Sequence, residues 1–138
     1  MQKLMFLPYF LQPSPELSPT MVVKIQLAAL QRNGKYDRHF GVDFGIAAAF
    51  VFASPSNKLN TGPLSRFMRM VRNPIYRPMI DHQEAYFGKL VINGNQAWQK
   101  VTLIDKEGKM SRYIFGLSRQ GEGQYWQCWM TDSVQRED

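Results

Sequence analysis

The chain has one cysteine, Cys128, in 138 residues. That excludes an internal disulfide and any zinc site built on cysteines. A lone thiol suits a reducing compartment. Histidine is nearly as scarce, with only His39 and His82. No metalloprotease-like spacing and no carboxylate-rich loop is present, so the sequence offers neither a metal site nor a cofactor site. No stretch approaches the roughly 20 apolar residues of a membrane-crossing helix. Residues 1–11 are apolar, but Pro8 interrupts them. With one lysine and no small-residue cleavage site they make a poor secretory signal, and they are not Arg- and Ser-rich like a transit peptide. The expected address is the soluble cytoplasm, or a plastid if residues 1–11 are the remnant of a processed precursor. Carboxylates are in the minority: 17 Lys and Arg against 11 Asp and Glu leave a net charge of +6. The cations are scattered, with no run of five or six, which describes a soluble domain with a basic bias.

What is present is a run of four strands. Residues 82–92, 95–104, 109–119 and 124–134 are each rich in β-branched and aromatic residues. Asn93-Gly94, Asp105–Gly108 and Gln120–Gly123 separate them. Connections this short force antiparallel neighbours, so the strands form a meander. Alternation puts Glu84, Tyr86, Gly88 and Leu90 on one face of the first strand and Ala85, Phe87 and Lys89 on the other. Trp98 and Lys100 likewise oppose Gln99 and Val101, and Tyr113 and Phe115 oppose Arg112 and Ile114. Neither face is purely polar. A sheet covered on one side normally alternates cleanly, so a second copy or another protein is expected on the uncovered face. Gly88 and Gly116 inside strands indicate bends or bulges.

The cover for the other face comes from residues before the sheet. Gln12-Pro13-Ser14-Pro15-Glu16-Leu17-Ser18-Pro19 is a linker in which repeated prolines prevent regular structure. A first helix starts at Ser18, with Pro19 in its first turn and Asn33-Gly34 as its C-cap. Residues 33–43 read as a polar connection. A second helix over residues 44–52, capped by Asp43, is apolar on nearly every side and belongs in the core. Pro55 ends it. Leu64, Phe67, Met68 and Val71 mark the buried side of a third helix capped at Thr61 or Gly62 and stopped by Asn73-Pro74. Residues 75–80 then run extended into the sheet. The fold class is α+β, three N-terminal helices on a curved four-stranded antiparallel meander. Residues 1–17 form an arm and linker, 18–134 a single domain and 135–138 a tail.

This layout resembles the nuclear-transport-factor-two-like fold, the cystatin-like cone, over residues 18–134. Within that superfamily the chain most resembles a family defined by a domain of unknown function. The resemblance rests on Ile25-Gln26-Leu27-Ala28-Ala29-Leu30, Ala49-Phe50-Val51-Phe52-Ala53-Ser54-Pro55, Arg66-Phe67-Met68-Arg69-Met70-Val71, Tyr76-Arg77-Pro78 and Tyr125-Trp126-Gln127-Cys128. These are packing and turn residues. They imply a fold and no activity, because the superfold hosts isomerases, dehydratases, hydrolases and pure binding modules.

No motif fixes an activity. Asp81, His82 and Glu84 stand at the entrance of the first strand, where enzymes of the resembled superfamily keep a base at the mouth of the cone. Adjacent strand residues point to opposite faces, so Asp81 and His82 do not share one cavity without a bulge. Tyr86, Trp98, Tyr113 and Trp126 are the residue types of an aromatic pocket, and equally of a core. Arg66, Arg69, Arg72 and Arg77 make a basic patch. No aromatic interleaves with it, which argues against nucleic acid as partner. Cys128 reads as a buried structural thiol. The reading leans away from an enzyme, toward a binding domain that dimerises or docks through its sheet face. The alternative is a protein that binds a small hydrophobic ligand, or an isomerase or dehydratase, using the cavity between helices and sheet. Trp98, Trp126 and Phe115 filling that cavity would exclude the alternative.

Overall fold

The computed structural model describes residues 12–138, apart from the side chains of His39 and Phe40. Most of the expected N-terminal arm, residues 1–11, lies outside the described residues. Helix α1, Pro19–Gln31, begins where Ser18 Oγ accepts a hydrogen bond from the Met21 amide at 3.1 Å. It buries Val22, Val23, Ile25, Leu27 and Leu30. Its end departs from the expectation. The C-cap is Arg32, and Asn33 and Gly34 open a new helix, α2, Asn33–Phe40, in the stretch read as a connection. Support for α2 comes from far along the chain, because Asp81 Oδ1 accepts from the Gly34 amide at 2.8 Å.

Helix α3, Phe44–Val51, packs on α1 so closely that a Cβ on Gly45 would fall 2.2 Å from the Ala29 carbonyl oxygen. Asp43 does not cap it. Asp43 lies in the left-handed region (φ 62°), and the acceptor is Asn33 Oδ1, 2.9 Å from the Ile46 amide. Pro55 does not simply end α3. It opens a further helix, α4, Pro55–Thr61, capped by Ser54 Oγ on the Asn57 amide at 3.2 Å. Helix α5, Leu64–Val71, follows a cis Gly62–Pro63 bond and has no side-chain cap, contrary to the role expected of Thr61 or Gly62. The Thr61 hydroxyl instead donates back to the Asn57 carbonyl at 2.9 Å. The expected extended run at 75–80 is a turn and one 3-10 turn, Arg77–Met79, because Asn73 Oδ1 accepts from the Ile75 amide at 2.8 Å. The described helices are therefore five, not three, and they all lie to the N-terminal side of the sheet.

The sheet is the expected meander. Strands β1 Glu84–Asn93, β2 Gln96–Ile104, β3 Met110–Arg119 and β4 Trp129–Arg136 pair antiparallel in the order β1-β2-β3-β4. The first hairpin turns on Gly94 and Asn95, one residue later than expected. Positive φ at Gly94 alone (62°) is what a II′ turn requires. The last strand starts at Trp129 rather than at residue 124. Gln127 takes a positive φ (68°), and the residues around Trp126 form a turn. Register shifts fall at Gly88 and Gly116, as the in-strand glycines indicated. A Cβ at Gly116 would lie 2.8 Å from Ser133 Oγ, so a side chain there would require the Ser133 hydroxyl to move away.

One face of the sheet, with Val101, Leu103, Tyr113, Phe115 and Leu117, packs on Val22, Val23, Leu27, Ile46 and Phe52 to form the core. Residues 52–54 also run beside β4. The Thr131 amide donates to the Phe52 carbonyl at 2.9 Å, and the Ser54 amide donates to the Thr131 carbonyl at 2.8 Å.

Candidate functional site

The three residues at the entrance of β1 have separate structural roles. Asp81 takes a positive φ (57°), and its carboxylate holds the start of α2. His82 is buried, with Nδ1 2.8 Å from the Met79 carbonyl. Burial pushes its pKa below the ordinary 6.5, and the Met79 carbonyl and the Asp81 carboxylate only partly oppose this. Glu84 stands on the exposed sheet face and accepts from the Tyr86 hydroxyl, which raises the pKa of that phenol. The three do not converge, and none of them lines the cavity between helices and sheet.

The aromatic pocket does not assemble either. Tyr113 is fully buried on the helix side of β3, and its hydroxyl donates to the Ile75 carbonyl at 2.7 Å. Trp98 (40 % exposed) and Tyr86 (54 %) are on the opposite face, and Trp126 (59 %) is in the turn before β4. Strand alternation separates Trp98 from Tyr113, since Trp98 pairs with Gly116 and Tyr113 with Val101.

The cavity between helices and sheet is nevertheless open. It measures about 250 Å³, and of the three aromatics that would exclude a ligand by filling it, only Phe115 is in its wall. Leu30, Phe67, Met70, Met79 and Val134 complete an apolar lining. The polar atoms that reach it are tied to one another. Gln26 Oε1 accepts from the Thr131 hydroxyl at 2.6 Å, and Gln26 Nε2 donates to the Ala49 carbonyl at 3.1 Å. Asn57 Nδ2 donates to the Thr131 carbonyl at 3.0 Å, and the Tyr76 hydroxyl to the Val134 carbonyl at 3.0 Å. Asp132 is the one carboxylate in the lining among the described residues, and it accepts from the Ser118 hydroxyl at 3.0 Å. Among the described residues the lining holds no histidine, lysine, arginine or cysteine. Such a site can enclose an apolar group and offer hydrogen bonds at its rim, but it presents no poised acid and base. Asn57 and Thr61, in its lining, were missed by sequence reasoning because Pro55 reads as the end of the second helix and not as the opening of a new one. The Ser54-Pro55 pair was the available signal, and it repeats Ser18-Pro19.

The four arginines of the basic patch are not one cluster. Arg66 and Arg69 are exposed on α5, Arg72 is bound to Asp43, and Arg77 lines a separate cleft of about 370 Å³. In that cleft Lys106, Lys109 and Arg136 mingle with Asp105 and Glu107, and Arg136 is paired with Asp138 at 2.9 Å. Lys58 is half-buried between the Phe50 and Tyr125 rings, 5.6 and 5.3 Å from their centroids, and donates to the Val51 carbonyl at 3.2 Å. Burial lowers its pKa. Cys128 is buried, as expected, and burial pushes its thiol pKa up. Among the described residues no three His, Cys, Asp or Glu side chains gather as a metal site, and no helix is long and apolar enough to cross a membrane.

A family model described as a domain of unknown function (DUF4864) matches residues 16–137 of the chain. No curated protein and no solved structure matches it.

Proposed function

The chain belongs to the DUF4864 family, and from that premise we propose that it is a non-catalytic binding domain of nuclear-transport-factor-two-like build, pairing with a second copy of itself through the uncovered face of its sheet. The observation behind this reading is Trp98. It stands half-exposed as the third residue of β2, an inner strand of the sheet, on the face away from every described helix. Val91 is directly opposite it on β1, and Tyr86 and Ile114 share the face. An indole in mid-sheet is the kind of anchor that dominates interfaces. Its partner on β3 is Gly116, where a Cβ would lie 3.9 Å from Trp98 Cδ1, so on the β3 side no side chain opposes the ring.

Sedimentation equilibrium tests this. A dimer is expected for the native chain and a monomer for Trp98→Lys, with circular dichroism unchanged. Loss of the indole weakens pairing by about 2 kcal/mol or more. A native chain that stays monomeric at high concentration overturns the reading.

The open cavity favours a second reading, in which the same domain holds a small apolar ligand. Saturable uptake of the neutral dye Nile red is expected. Met70→Trp, which fills the hollow, is expected to abolish it, whereas Trp98→Lys leaves it intact. Uptake lost with Trp98→Lys and kept with Met70→Trp places the dye on the sheet and refutes the second reading.

A further inference from the structure

From residue 44 through residue 80 the chain carries five cations, Lys58, Arg66, Arg69, Arg72 and Arg77, and no carboxylate. These residues make α3, α4, α5 and the 3-10 turn, which is most of the helical layer. Only one carboxylate from elsewhere reaches their cations within ion-pair distance among the described residues, Asp43 on Arg72. Arg66 and Arg69, one helical turn apart on the exposed side of α5, are left unneutralised. The opposite side of α5 carries Phe67 and Val71 into the core.

Aliphatic side chains protrude around the same helix. Leu59 is 85 % exposed on α4, which packs against α5. Val42 is 79 % exposed in the residue before Asp43, and so is held beside the C-terminal end of α5 by the Asp43–Arg72 pair. Ile75, half-exposed, follows α5 in the next turn. A protein partner would need a separate pocket for each of these isolated side chains. A lipid surface needs none, because it deforms around whatever enters it. Unneutralised arginines with exposed aliphatic side chains on the adjoining segments are the two features that an anionic bilayer surface binds.

We propose that the α5 face, Arg66 and Arg69 with Val42, Leu59 and Ile75 around them, docks the protein peripherally on an anionic lipid surface. This does not depend on self-pairing through the sheet, which uses the other side of the molecule.

Vesicle co-sedimentation with the full chain tests it, using phosphatidylcholine vesicles with and without phosphatidylglycerol. Binding is expected only with phosphatidylglycerol present and is expected to weaken as salt is raised. Each exposed cation near the surface is worth about fivefold, so R66A/R69A is expected to lower binding about 25-fold. Leu59→Ser is expected to lower it about tenfold with the salt dependence unchanged. Leu59 contributes little to folding at its exposure, so this arm stands even if the double variant is unstable. Equal binding to both vesicle types, no binding to either, or binding to polyglutamate or single-stranded DNA without binding to vesicles overturns the proposal.

Discussion

Asn33 shows how one side chain holds several elements. It is buried, accepts from the Ile46 amide at 2.9 Å, and donates to Asp43 at 3.3 Å. Asp43 also holds Arg72 of the loop after α5. Asn33→Ala removes an N-terminal acceptor from α3 and a donor from a buried carboxylate. A loss of about 1–3 kcal/mol is expected in urea unfolding. Asn33→Asp keeps the acceptor but sets a second carboxylate beside Asp43, and no rescue is expected. The sequence reading gave Asn33 a C-cap role and gave capping to Asp43. Both residue types cap helices, and only the packing of α1 on α3 decides between them. His82 gives a pH signature at the same scale. Its folded pKa lies below 6.5, so the native state holds it neutral while the unfolded chain takes up a proton near pH 6.5. Stability is therefore fully present above that value and falls as pH falls through the folded pKa. Urea midpoints measured between about pH 7.5 and about pH 5.5 should drop less steeply in His82→Gln than in the native protein.

Among elements, α4 is the least anchored helix, since it buries no residue completely. Its ends depend on Ser54 at the start and on the Gly62 amide donating to the Lys58 carbonyl at 2.9 Å. Ser54→Ala should cost about 1 kcal/mol. Faster hydrogen exchange is expected at the α4 amides, with little change at β2 and β3. The strands were legible in the sequence because alternation is a local signal that β2 keeps along its whole length and β3 keeps as far as Phe115. Helix α2 was not legible. Its residues, Asn-Gly-Lys-Tyr-Asp-Arg-His-Phe, have little apolar periodicity, and the Asp81 carboxylate that braces its start is 47 residues downstream of Gly34. The start of β4 was misplaced for a related reason. Tyr125, Trp126 and Trp129 have the composition of a strand, and the left-handed Gln127 between them breaks it.

For the whole molecule, the proposed pairing makes stability depend on concentration. A dimer's thermal midpoint rises with protein concentration, and the Trp98→Lys midpoint is expected to stay flat under the same dilution series. The class of the fold was readable because a meander preceded by helical segments has few packing solutions. The cavity was not, because its lining draws on α1, α4, α5, β3 and β4 together. The expected wall of Tyr86, Trp98, Tyr113 and Trp126 failed on strand parity and on the turn before β4.

The two rims of the ribbon differ in a way that bears on how the protein would misassociate. At β4, Thr131 has both backbone groups engaged by residues 52 and 54, and the Val134 carbonyl is taken by the Tyr76 hydroxyl. At β1 no described strand pairs with the outer side. Fibril-like recruitment of foreign chains thus meets less obstruction along β1, and there the Gly88 kink and the charge of Lys89 act as gatekeepers.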